Sequence, residues 1–225
     1  MGNDHCKIAA ALAVLLLTLL GSGHCGNGAA ESELVERGYE ATRYGFMLAT
    51  RAGDAEAVRL FLAAGFSAET RFDPSNLEND AGAVPLLLYA AESGNPAVVR
   101  ILLDAGADPR ASVRAGGIQA IHTAARYAKP EIVRMLVQAG ADPNAIGQPR
   151  FEGGAFVPLY EAVHRGETPE RVETVRVLLA LGAACDPRHP RDGDSPLLAA
   201  KRYGYDEIAR LLLACGADPQ AERTR

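Results

Sequence analysis

The chain has 225 residues, 23 basic and 28 acidic side chains, and a formal net charge of −5. That balance gives no general case for nucleic-acid binding. Nearly half the residues are apolar, alanine is abundant and tryptophan is absent, which suits thin, close-packed helix pairs stacked in a row.

Residues Met1 to Lys7 are polar, and the apolar run from Ile8 to Leu20 comes next. That run is too short to span a bilayer, which needs about 20 residues. It reads as the core of a secretory signal peptide covering residues 1–30, with cleavage after Gly28-Ala29-Ala30. Only Lys7 and the amino terminus are positive ahead of it, and Asp4 opposes them. Cys25 offers an alternative, a lipoprotein signal ending before it. Against this, His24 and Ser22 stand where such signals carry a small and an aliphatic residue. Gly2 would suit myristoylation, yet Cys6 takes the place of the usual Ser or Thr. The expected address is therefore periplasmic or extracellular, with no membrane span in the mature chain. A lipid anchor to the outer membrane through Cys25 is the second option, and an unexported intracellular protein the third.

Residues 31–43 are charged with scattered apolar positions (Leu34, Val35, Tyr39) and read as a cap over the first repeating unit. From residue 44 to residue 220 one pattern repeats about five times, and residues 221–225 form a tail. The first unit runs through Phe46, Leu48 and Ala49 to Gly53, then Val58, Phe61 and Leu62 to Gly65. A long connection over 66–84 leads to the second unit, where Pro85 stands one position early and the helix opening should differ. Its apolar set is Leu86, Leu87, Ala90 and Ala91, then Val98, Val99 and Leu102. The third unit carries Ala124 and Ala125, then Ile132, Val133 and Leu136, before a second long connection over 145–156. In the fourth, Thr168-Pro169-Glu170-Arg171 lengthens the turn. The fifth is the clearest: Ser195 caps a helix, Pro196 fits its first turn, Gly204 ends it, and Ile208, Leu211 and Leu212 line one face of the next. The last unit's outer face should be the least protected.

The turn positions fall in register as Gly53, Gly94, Ala128, Gly166 and Gly204, and the closing glycines as Gly65, Gly106, Gly140, Gly182 and Gly216. Gly106-Ala107-Asp108-Pro109, Gly140-Ala141-Asp142-Pro143 and Gly216-Ala217-Asp218-Pro219 repeat one closing motif. Ala120-Ile121-His122-Thr123-Ala124-Ala125 and Val157-Pro158-Leu159-Tyr160-Glu161-Ala162 repeat one opening motif. The pattern resembles the ankyrin repeat, of about 33 residues with a T-P-L-H-x-A opening. The resemblance implies an all-α solenoid of about five helix–turn–helix repeats with hairpin-like loops, behind the signal peptide. It also implies that His122 ties the turns of adjacent repeats together, and that the ends of the first helices line a groove for partners.

No metal-ligand spacing, nucleophile elbow or phosphate-cradling loop is present, and His164 has no second ligand at useful spacing. The expectation is a chain without catalytic residues, cofactor or metal. Cys185 and Cys215 would pair only if their Cα atoms came within about 7 Å; idle thiols are the plainer reading. Arg59, Arg100, Arg134, Arg176 and Arg210 recur at one place in the second helices, and Glu56, Glu131, Glu173 and Glu207 lie three residues before four of them. That spacing predicts a self-neutralised back face. The first-helix ends hold Arg51, Tyr89, Glu92, Arg126, Tyr127, His164, Arg165, Arg202 and Tyr203, rich in the residue types that anchor interfaces. These are the candidate contacts for a protein partner presenting an acidic surface or peptide, without nucleic acid. The function expected is non-catalytic protein binding; a lipid-tethered envelope spacer is the alternative.

Overall fold

A computed structural model describes residues 27–73, 83–113, 117–147, 157–188 and 194–220. Most of the signal segment, Cys25, residues 74–82 and 148–156 of the two long connections and the tail lie outside the described residues.

Helix α1 (Asn27–Glu36) precedes five helix pairs: α2 (Arg43–Ala52) with α3 (Ala55–Ala63), α4 (Leu86–Ser93) with α5 (Pro96–Asp104), α6 (Ala120–Arg126) with α7 (Pro130–Gln138), α8 (Pro158–Val163) with α9 (Pro169–Ala180), and α10 (Pro196–Tyr203) with α11 (Asp206–Cys215). First helices pack on first helices and second on second, so the pairs form two parallel rows. α1 crosses the expected cleavage boundary and packs on α3, contributing the fully buried Leu34. The cap is thus a helix that begins at Asn27.

Local chemistry sets most helix starts. Thr42, Asp54, Asn95, Thr168 and Ser195 each accept a hydrogen bond from a backbone N–H of the first turn. Proline fits the opening turn of α5, α7, α8, α9 and α10, where its missing N–H is no loss. The second repeat differs, as its early proline implies. Pro85 lies outside α4, in a strand β2 (Val84–Pro85) that pairs antiparallel with β1 (Arg71–Phe72). Phe72 opposes Val84, which makes this connection a short hairpin at its base. The next connection narrows to one bridge, Ser112 opposite Gln119.

The core runs the length of the stack. In each second helix the residues on one face are buried: Val58 and Phe61, Val98 and Leu102, Ile132 and Leu136, Val175 and Leu178, Ile208 and Leu212. Alanine pairs Ala90/Ala91, Ala124/Ala125 and Ala199/Ala200 have no exposed surface, and their small side chains let neighbouring pairs approach. At the N-terminal end Phe46 stacks on Phe61 with ring centroids 4.9 Å apart, and Phe66 meets both edge-on.

The turn register appears in the backbone. Gly53, Gly94 and Gly204 hold φ of 74°, 75° and 71°. Ala128, at the matching place, holds φ 54° and is the one non-glycine with positive φ among the described residues.

Candidate functional site

The C-terminal ends of α2, α4, α6, α8 and α10 stand side by side because the first helices pack in one row. Each expected contact residue therefore falls on one continuous edge, where the structure gives most of its cations a partner. Arg51 Nη2 lies 3.3 Å from Glu92 Oε1 of the next repeat. Arg126 Nε lies 3.6 Å from Glu161 Oε2, again one repeat on. Arg202 Nη2 sits 3.2 Å from both carboxylate oxygens of Asp194, which is only 2% exposed. Tyr160 donates to the same carboxylate at 3.4 Å. Arg165 is exposed and pairs with no carboxylate among the described residues. Three of the four arginines on this edge are thus neutralised in place. The edge is charge-paired with one open cation, Arg165, among the described residues.

Aromatic side chains fill the spaces between. The His164 ring packs against Tyr160 at 4.4 Å and lies 6.2 Å from Tyr203, which stacks on Tyr205 at 5.5 Å. Tyr127 and Tyr203 keep 46% and 48% of their surface in water, so their faces are open to a partner. Tyr89 is half-buried, and desolvation holds its phenol above the ordinary tyrosine pKa against the pull of Arg51. It stays neutral at physiological pH.

Models of ankyrin repeats match residues 25–112 and 46–146, as three-copy arrays, and residues 192–223 as a single repeat. The chain belongs to the ankyrin-repeat family. The fourth ankyrin repeat, α8 with α9, lies between the matched stretches and continues both helix rows. Ankyrin repeats are generally protein–protein interaction modules.

The ankyrin stack also places the remaining expected residues. His122 is 2% exposed. Its Nδ1 accepts from the Gln119 N–H at 3.2 Å, which leaves Nε2 as the protonated nitrogen donating to the Ala145 carbonyl at 2.9 Å. The ring thus joins the start of α6 to the connection beyond α7, a structural role. The back face is paired at Arg59, Arg134, Arg176 and Arg210, partly by a different route from that expected, while Arg100 and Glu131 form no ion pair among the described residues. Glu56–Arg59, Glu173–Arg176 and Glu207–Arg210 form within single helices, at 3.1, 3.6 and 2.6 Å. Arg134 instead reaches Glu173 of the next repeat at 2.8 Å, and Arg176 reaches Glu207 at 3.7 Å. The last three ankyrin repeats share one zigzag of alternating charge.

Two contributors to the edge were not singled out from sequence. One is Asp194, immediately before the helix cap Ser195. The other is Arg171, in the lengthened turn of the fourth ankyrin repeat. The added residues become an extra turn at the start of α9, capped by Thr168, and Arg171 on that turn is buried. Its guanidinium donates to the Ala162 carbonyl at 3.1 Å and the Arg126 carbonyl at 2.9 Å. It therefore pins the ends of α8 and α6 together under Arg126, Tyr127 and Arg165. Burial, reinforced by the Arg165 charge, lowers its pKa.

Proposed function

We propose that this chain is an exported, non-catalytic binding module that holds a partner protein across the ends of its first helices and the adjoining connections. The observation that carries the reading is the row Tyr127, Arg165 and Tyr203, exposed on a bed of inter-repeat ties. Two open tyrosine faces and one open guanidinium are side chains that anchor interfaces. Tyrosine also offers a large contact area at small rotamer cost. Beneath them, Arg51–Glu92, Arg126–Glu161 and the Arg171 carbonyl contacts fix neighbouring helix ends before any partner arrives. A surface ordered in advance loses less entropy on docking.

The partner that suits this edge presents a carboxylate for Arg165 and apolar or ring surfaces for the tyrosines. Export is supported by the apolar run from Ile8 to Leu20 and by the pairing of Cys185 with Cys215, since disulfides persist in oxidising compartments.

The test is a pull-down from native envelope and soluble fractions with protein beginning at Asn27, which keeps α1. One stoichiometric partner is expected, lost when Tyr127→Ala, Arg165→Glu and Tyr203→Ala are combined. It should be retained when Arg134→Ala and Arg210→Ala alter the back face. A partner that survives the combined edge variant overturns the reading. Full-length protein expressed beside it, if found only in lipid-bound fractions through Cys25 and without a partner, would establish the spacer instead.

A further inference from the structure

At three successive junctions of the stack, the residue four places after a closing glycine reaches across to the next closing motif. Glu69 accepts from the Asp108 N–H at 2.6 Å. Arg110 donates to the Gly140 carbonyl at 2.7 Å. Asn144 does both, donating to the Gly182 carbonyl at 2.9 Å and accepting from the Ala184 N–H at 2.7 Å. At the fourth junction the bridging residue is Cys185, three places after Gly182, and it meets Cys215 with Cα atoms 5.7 Å apart in a disulfide. An ion pair flanks it, Arg188 to Asp218 at 3.9 Å. Lys201 adds a hydrogen bond to the Pro219 carbonyl at 2.8 Å.

We propose that the Cys185–Cys215 bridge is a redox-operated clasp that replaces the polar clasp of the earlier junctions and locks the last described repeat onto the stack. The position explains the need. Interior repeats are held from both sides, whereas α10 and α11 have a neighbour on one side only among the described residues. A unit of a solenoid with a neighbour on one side opens before one held on both, because local stability is lowest where fewest contacts are made. The bridge spans 30 residues, almost the whole of that last repeat. It therefore restrains the open form of that repeat in particular, and the folded remainder is little affected. Cys215 is exposed and Cys185 partly so, which leaves the bridge open to thiol–disulfide exchange.

The chemistry balances with a disulfide oxidant. Two cysteine thiols give up two protons and two electrons, one S–S bond forms, and the oxidant's S–S bond becomes two thiols. A dithiol reductant runs the same exchange backwards. Because α10 carries Arg202 and Tyr203, reduction would also release one end of the proposed binding edge. That consequence rests on the functional reading above; the clasp itself does not.

The full chain, oxidised with oxidised glutathione, is compared with its reduced form by hydrogen exchange read by mass spectrometry. Intact mass reports the loss of two hydrogens. For a loop of this length, protection of the α11 amides should fall roughly 10²- to 10³-fold on reduction, with α5 and α7 unchanged. Cys185→Ser and Cys215→Ser should each match the reduced protein whether or not reductant is present. Failure of the bridge to form, equal α11 protection in the two redox states, or a reductant effect that persists in the serine variants would each overturn the proposal.

Discussion

Replacing Ala128 with glycine should stabilise the protein. Ala128 is the left-handed residue between α6 and α7, with φ 54°, at the place glycine fills with φ 71–75° in three other repeats. An L-residue with a Cβ held in that region costs about 1–2 kcal/mol relative to glycine. Against this, glycine gains freedom in the unfolded chain worth about 0.4–1 kcal/mol. The lost methyl is only partly buried and removes at most a few tenths of a kcal/mol. The hydrogen bonds that close the turn use backbone alone, Ala128 N–H to the Ala125 carbonyl at 3.1 Å and Lys129 N–H to the Ala124 carbonyl at 2.9 Å, so they survive the change. The net gain is about 0.5–1 kcal/mol. At roughly 2–4 °C per kcal/mol for a chain of this size, Tm should rise by about 1–4 °C, read by far-ultraviolet circular dichroism. The mirror experiment is Gly204→Ala, where φ is 71° and an added Cβ meets no atom within 4 Å. It should lose a similar amount from the backbone alone. A lower Tm for Ala128→Gly, or no loss for Gly204→Ala, would refute the argument.

Arg171→Met should cost about 2–4 kcal/mol, measured as a shift in urea midpoint, because it leaves the Ala162 and Arg126 carbonyls without their donors. Arg171→Lys should recover only part of this, since one ammonium cannot reproduce the planar fork that serves both oxygens. His122→Phe keeps the ring but removes both of its hydrogen bonds; a loss of about 2–3 kcal/mol is expected, with faster amide exchange at the start of α6. Arg202→Ala removes the guanidinium facing the buried Asp194 carboxylate, which keeps the Tyr160 hydroxyl and the Ser195 N–H, and should destabilise by about 1–2 kcal/mol, while adding Asp194→Asn should restore part of the loss. A double variant no better than the single would show that the lost counter-charge is not the cause.

The features carried by short-range rules were legible in the sequence. Ser195 and Pro196 open α10, Gly204 ends it, and the register of turn positions located even Ala128, whose conformation follows its place in the repeat. His122 was legible through its motif. The features that depend on how repeats stack were not. The four-residue insertion at 168–171 was visible, but which way its arginine faces is decided by the added turn of α9. Glu131 to Arg134 is a valid local pair, yet the stacking brings Glu173 to Arg134 as well, and that contact forms. Cys185 and Cys215 occupy different positions within their repeats, so their distance follows only from the offset between neighbouring closing motifs. The ion pairs along the first-helix edge are set in the same way. Arg126 and Glu161 lie 35 residues apart in sequence and meet because α6 and α8 are neighbours in the row.

The most direct test of the central claim is site-specific photo-crosslinking in the native compartment, with a photoreactive phenylalanine placed singly at residues 127, 203, 134 and 210. If the first-helix edge is the binding face, positions 127 and 203 should capture the same partner protein, and positions 134 and 210 should capture none. The same partner captured from 134 and 210, with 127 and 203 silent, would place recognition on the back of the stack and contradict the account.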